Sequence, residues 1–299
     1  MIEALPAPRP GPLLESVNWF ITPRCNYRCR FCFFRQRAYE NVRPLPGGLL
    51  VTVRQARDML RHLREAGTRK VTFVGGEPTL VKSLPSLVRF ADELGMASMI
   101  ATNGTGLTDQ LLDQLAPPLT NRAHPGAVKF SLDSGIGSVE KALGRGTGHH
   151  VELLLNRAAA VRARGIPLMV NTVVTALNWQ EEMHDILGEL GPIERWKVLQ
   201  VLRIEGQNDR EWDSLKVTTD QFWQFVDRHR DLKPIPEDNN AMTESYVMVD
   251  PLGRFFQNTG GRHNFSRPIL EVGVEAALSD VRWDRAKFLA RGGSYQVCT

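Results

Sequence analysis

Cys25-Asn26-Tyr27-Arg28-Cys29-Arg30-Phe31-Cys32-Phe33 gathers three of the chain's four cysteines into eight residues. Three thiolates spaced by three and then two residues can wrap three corners of an iron–sulfur cubane, whereas runs that fill all four corners carry a fourth cysteine close by. The iron left without a protein ligand is then open to a small chelating molecule. A structural zinc site would want four ligands, usually in two paired knuckles, and the sequence offers no partner CxxC or HxxxH elsewhere. Disulfides suit three neighbouring cysteines poorly, and no secretory leader is read. The fourth cysteine, Cys298, reads as a spectator thiol.

The composition leaves room for such a loop inside a large scaffold. A chain of 299 residues with 42% hydrophobic content can bury a substantial core, and α/β barrels of this size commonly form one domain. The net charge of +4 is modest and no Lys/Arg block of five or more stands out, so nucleic-acid binding is not expected. No apolar run approaches the roughly 18 residues of a membrane span. The expectation is a soluble, cytoplasmic monomer in a reducing compartment that would protect a cluster.

Outward from the loop, Ser16 to Thr22 alternates and carries aromatic residues, as a first strand ending at the cysteines should. Further strands are expected at Lys70 to Val74, Ala97 to Thr102, Val128 to Asp133, Leu168 to Val174 and Trp196 to Ile204. Helices are expected at Thr52 to Ala66, Leu84 to Leu94, Thr108 to Leu115, Val151 to Arg164 and Gln180 to Leu190. Six such steps make a parallel sheet with covering helices the economical architecture, and six fall short of the eight strands of a closed barrel. The predicted fold is α/β, a partial (β/α)6 TIM-like barrel over residues 16–208 with its active site at the strand C-termini. Residues 1–15 read as an irregular, proline-rich lead-in. After Asp209, a helix at Thr219 to Asp231, a hairpin from Tyr246–Val249 and Phe255–Phe256, and Ala286 to Arg291 do not extend the alternation. Residues 209–299 are therefore expected to form a C-terminal extension packed on the barrel and closing its mouth, in the same domain.

Polar motifs fall at the ends of these strands. Gly75-Gly76-Glu77-Pro78 follows the second, where glycine lets backbone approach a ligand and an extended edge can hydrogen-bond an amine. Asn103 ends the third strand, Ser131 the fourth, and Arg145 lies between two glycines. A guanidinium matches a carboxylate in two-pronged geometry, so Arg145 and Ser131 are candidates for binding one. His149 and His150 read as helix-start residues rather than metal ligands.

Together with the cysteine run and the aromatic Phe31 before the third cysteine, these motifs resemble those of the radical SAM superfamily. The resemblance implies a [4Fe-4S] cluster on Cys25, Cys29 and Cys32, with S-adenosyl-L-methionine (SAM) on the open iron. It implies further that Gly75, Gly76, Glu77 and Pro78 hold the methionyl amino group, with Phe31, Phe33, Asn103, Ser131 and Arg145 beside the cofactor.

Lys70 and Lys197 stand near the starts of strands two and six, where the alternation can point both side chains inward. Five residues separate Lys70 from Gly75, about 16 Å at roughly 3.3 Å per residue, which suits a sugar at the mouth with its phosphates running down the barrel. A charged amine inside a barrel is costly unless paired, so inward lysines without matching acids point to a buried anion. The other reading has both lysines snorkelling out of the barrel's bottom.

Ser16-Val17-Asn18, Arg195 to Val198, Ile204-Glu205-Gly206, Asp250 to Phe255, Ile269 to Val274 and Arg291-Gly292-Gly293 narrow the resemblance to the viperin family of antiviral radical SAM enzymes, in the same order from Ser16 to Tyr295. What that resemblance implies is conversion of a ribonucleoside triphosphate, CTP in the animal enzyme, to its 3′-deoxy-3′,4′-didehydro form by a 5′-deoxyadenosyl radical that takes the 4′-hydrogen. It implies phosphate contacts at Lys70, Lys197 and Arg291, ribose contacts at Asn18 and Asn171, and a proton or hydrogen supplied by Tyr246. A flavodoxin- or ferredoxin-like partner would donate electrons. Three departures stand out: Met169 where the family carries a phosphate-binding lysine, Phe34-Arg35 in place of His-Thr, and Val74 in place of serine. The family's animal members carry an amphipathic N-terminal anchor and a Trp-ended tail, and this chain, which shows neither, is expected to be of the soluble microbial type. The rivals are a radical SAM enzyme of molybdopterin-precursor cyclase type, which would need further cysteines, and a nucleotide- or zinc-binding module without catalysis.

Overall fold

The computed structural model describes residues 14–35, 39, 41–45 and 48–293; the lead-in up to residue 13 and Cys298 lie outside the described residues. Strand β1 (Ser16–Phe20) buries Val17 and Trp19 against the helices, and its pleat turns Ser16 and Asn18 to the opposite face. Helix α1 (Val53–Glu65) starts at a capping box between Thr52 and Gln55 and buries Ala56, Met59, Leu60 and Leu63, one apolar stripe at helical spacing. The alternation continues through β2 (Lys70–Val74), α2 (Leu84–Glu93), β3 (Ala97–Thr102), α3 (Asp109–Leu119), β4 (Ala127–Ser131), α4 (Gly137–Ala142), α5 (His150–Arg162), β5 (Leu168–Val174), α6 (His184–Leu190) and β6 (Arg195–Gln200). Helix α3 runs past its expected end and through Pro117 and Pro118. Buried Leu112, Leu115 and Leu119 hold it to the sheet there, so packing outweighs the two missing backbone donors.

The extension does more than cover the barrel. Helix Thr219–Arg228 leads into β7 (Ile235–Glu237), which pairs parallel with β6, so the alternation takes one more step than the sequence reading allowed. Strand β8 (Met248–Val249) pairs parallel with β1 on the opposite edge, then turns into the expected hairpin with β9 (Arg254–Gln257), and β10 (Asn264–Pro268) adds an antiparallel edge. The sheet has ten strands in the order β10-β9-β8-β1-β2-β3-β4-β5-β6-β7.

Side chains from β1, β2, β4 and β6 line one cavity. A flat sheet would hold β2 and β6 roughly 19 Å apart at about 4.8 Å per strand, so the sheet curls into a trough. It stays open, because β7 ends the hydrogen-bonded order. One large core fills the space between strands and helices. Inside the trough, Phe20, Phe34, Tyr39, Met248 and Phe256 form an aromatic cluster at one place, while Met99, Ala127 and Met169 form a small apolar plug at another.

Candidate active site

Two strand-end segments grip the cysteine loop. On one side, Gly76 N donates to Thr22 O and Glu77 N to Arg24 O, both at 2.7 Å. A Cβ on Gly76 would lie 2.1 Å from Arg24 O, so only glycine permits this approach. The backbone edge expected to meet a ligand thus also spends donors on the loop that carries the cysteines. On the other side, Arg28 N donates to Gly144 O at 3.2 Å and Arg30 N to Leu143 O at 2.8 Å. Gly144, at φ +80°, would put a Cβ 2.4 Å from Arg28 O. Asn208 donates to Phe31 O at 2.8 Å, and the Arg30 guanidinium reaches Glu211 at 2.8 Å. Arg35, one of the departures, donates to Cys29 O at 3.1 Å and Arg30 O at 2.7 Å, and Phe34 and Val74 both join the aromatic cluster.

Burial pushes the Cys25 thiol up to about 11 and that of Cys29 to about 12, and raises Cys32 as well; mutual repulsion adds to each of the first two. The three thiols share one clamped loop, and with their proton affinity raised they keep their protons at neutral pH until a metal centre replaces them.

Behind the loop lies a buried ionic cluster that sequence reading only half anticipated. Arg145 Nε sits 2.6 Å from Asp133 Oδ2 and 3.3 Å from Glu140 Oε2, with its guanidinium 5.4 Å from the centre of the Phe31 ring. Arg145, expected to bind a ligand carboxylate, has its Nε edge held by two carboxylates of the protein. Burial pushes the Asp133 carboxyl up to about 6 even against the pull of Arg145. His150 starts α5 as read, yet it is buried, reaching Asn103 O at 3.1 Å and Glu140 at 3.4 Å. Glu77 is equally committed: its carboxylate accepts from Thr79, from Thr102 Oγ1 at 2.6 Å and from Asn103 N at 2.8 Å. Asn103 Nδ2 in turn lies 4.0 Å from Cys25 Sγ. Phe33 packs edge-on against Phe20 and His263.

The second half of the site is the cavity inside the trough. It is walled by Ser16, Asn18, Lys70, Thr72, Lys129, Lys197, Tyr246 and Arg291, among others. Lys70, Lys197 and Arg291 thus face one space, as read, and neither lysine snorkels away. The expectation that these cations lack an acid is corrected, because Glu237 on β7 accepts from Lys197 Nζ at 2.5 Å, from Arg291 at 3.3 Å and from the Tyr246 hydroxyl. Lys197 also donates to Tyr246 Oη at 3.0 Å, and the Arg291 guanidinium stacks 3.7 Å from the Tyr246 ring centre. Burial drives Lys70 down to about 6 and Lys197 to about 8; it pushes Glu237 up, but Lys197 and Arg291 outweigh it and hold that carboxyl below its ordinary range. Asn171 and Ser131 stand in register with Lys197, on the same face of the sheet.

The sequence profile of the Radical SAM superfamily matches residues 19–190. The S-adenosylmethionine-dependent nucleotide dehydratase of Flammeovirga pacifica is 39% identical over 95% of this chain and 96% of that protein. The chain belongs to the radical SAM nucleotide dehydratases. The dehydratase of Lacinutrix mariniflava is 40% identical over 94% of this chain and 58% of its own length, so the chain spans a little over half of that relative. The dehydratase RSAD2 of Danio rerio is 32% identical over 94% of this chain and 77% of its own length. In fold, the chain resembles Streptococcus suis SuiB solved with S-adenosylmethionine, at a TM-score of 0.66 and 16% identity, covering 94% of this chain and 68% of that one.

As a radical SAM dehydratase, the enzyme uses a [4Fe-4S] cluster and SAM, and three free thiols in one clamped loop fit a cluster with one iron left open. Sequence reading missed Glu237, Lys129 and Asp133 as members of the site. Glu237 hides in a three-residue strand with Pro236 at its centre, and Lys129 reads as an ordinary strand lysine. Only the period-two pattern shared by Ala127, Lys129 and Ser131 could have placed that side chain inside the trough. Among the described residues, no helix is long and apolar enough to cross a membrane.

Proposed function

We propose that the enzyme dehydrates a ribonucleoside triphosphate, CTP or another NTP, to the 3′-deoxy-3′,4′-didehydro nucleotide, an antiviral terminator of RNA chains. The observation that carries this reading is the cavity lined by Lys70, Lys129, Lys197, Tyr246 and Arg291 on the inner face of the sheet, where Lys197 donates to the Tyr246 hydroxyl and Arg291 lies over its ring. Cations in that number suit a triphosphate. Asn18 and Asn171, on the same inner face, suit ribose hydroxyls.

Cys25, Cys29 and Cys32 would hold the cluster and, with SAM bound, it would supply radical chemistry for hydrogen abstraction from the ribose. Loss of the 3′-hydroxyl as water then needs a proton, and Tyr246 Oη is set to pass one. It receives a hydrogen bond from Lys197 Nζ at 3.0 Å and donates to Glu237. Lys197, lowered by burial to about 8, is close to the range in which proton transfer at neutral pH is efficient. Glu77 and the Asp133–Arg145 pair act one step away, by fixing Asn103 and the floor of the cysteine loop. Electrons come from a flavodoxin- or ferredoxin-like donor.

Anaerobically reconstituted enzyme, given SAM, a reductant and each NTP in turn, is expected to form a product lighter by one water. Failure with all four nucleotides, while SAM is still cleaved, would reject the reading.

A further inference from the structure

In parallel barrels the side chains that fill one layer come from alternate strands. Lys70 on β2, Lys129 on β4 and Lys197 on β6 come from alternate strands and line the same cavity. Lys129 is half-buried, between Ala101 on β3 and Met169 on β5 in the register of the sheet. The apolar plug of Met99, Ala127 and Met169 adjoins it. Three lysines converging on one space repel one another, and after burial the nearest contribution to the lowered basicity of Lys70 is Lys129 itself. Such an arrangement is stabilised by a multiply charged anion that touches all three at once.

We propose that Lys129 is a phosphate-binding residue, which contributes from β4 a cation that Met169 on the adjacent strand does not. The inference rests on the nucleotide reading and deepens it: specificity for a triphosphate over shorter phosphate chains resides in the alternate-strand layer. Lys70 and Lys197 grip from either side, and Lys129 faces them from between.

The test uses the cluster-loaded enzyme and titration calorimetry with CTP, CMP and inorganic tripolyphosphate. Lys129→Gln is expected to weaken CTP and tripolyphosphate binding about tenfold or more, the scale of one charge-assisted contact, while CMP binding changes less than twofold. Lys129→Arg keeps the charge and is expected to stay within about threefold of the unaltered enzyme. Met169→Lys added to Lys129→Gln returns the charge to the neighbouring register position, and is expected to recover most of the lost affinity. Equal tripolyphosphate binding by Lys129→Gln and the unaltered enzyme would overturn the assignment and leave the dehydratase reading standing. An unaltered enzyme that binds neither triphosphate would overturn both.

Discussion

Glu237 Oε1 lies 2.5 Å from Lys197 Nζ, and the same carboxylate also holds Arg291 and the Tyr246 hydroxyl. This one acid keeps two buried cations and a phenol in place. On the proposed reading, a triphosphate bound among them shares those cations with a resident carboxylate.

Glu237→Gln should therefore separate stability from affinity. Removing one member of a buried ionic pair costs about 3–5 kcal/mol, so the substituted protein should melt well below the parent. Saturating CTP, at about a hundred times its dissociation constant, should return roughly 2.7 kcal/mol. Thermal melts with and without CTP check this, and equal melting of the two free proteins would show that Glu237 does not hold the cations together.

Lys70 carries a pH signature. Its basicity is lowered by burial to about 6, so above that pH the empty enzyme holds it neutral, and a phosphate beside it raises its proton affinity. Binding at pH 7.5 should take up close to one proton, and CTP affinity should fall as pH rises from about 6 towards the bound-state value. Calorimetry in buffers of different ionisation enthalpy reads the proton directly. Buffer-independent enthalpies would mean that no phosphate reaches Lys70.

Two glycines provide a contrasting pair. Gly76→Ala forces a methyl to within 2.1 Å of Arg24 O and should displace the cysteine loop, so iron content after reconstitution should drop to a small fraction of the parent's. Gly188, inside α6, has no heavy atom within 4 Å of an added Cβ. Gly188→Ala should keep its iron and gain about 0.5–1 kcal/mol from helix preference. Iron analysis and melts on both variants check the contrast.

Arg145→Met leaves Asp133 and Glu140 buried without their cation. The expected cost is about 3–5 kcal/mol in denaturant unfolding. If Asp133→Asn in the same chain restores half or more of that loss, the penalty comes from the stranded charge and not from lost packing on Phe31.

The periodic part of the fold was legible because local pattern and tertiary placement agree there. Lys70–Val74, Ala97–Thr102 and Leu168–Val174 form strands with the bounds their alternation predicts. What escaped was what depends on partners far along the chain. Ile235–Glu237 is too short and too rich in proline to read as a strand, and it becomes one only because β6 offers an edge. Helix α6 begins at His184 instead of Gln180, since the residues before it form turns, with Asn178 accepting from Thr175. Glu237 escaped with its strand, and so the acid that balances Lys197 and Arg291 went unseen. Arg145 was legible as a guanidinium at the expected mouth, but its partners Asp133 and Glu140 show themselves only once α4 packs beside it.

Glu237, Tyr246 and Arg291 all come from the stretch that follows the first six strands. A ribosome has thus released the three cysteines and the first six strands before the far wall of the cavity exists. The last three members of that wall are therefore the last to be synthesised, and a chain cut short after β6 would keep its cysteine run while lacking Glu237, Tyr246 and Arg291.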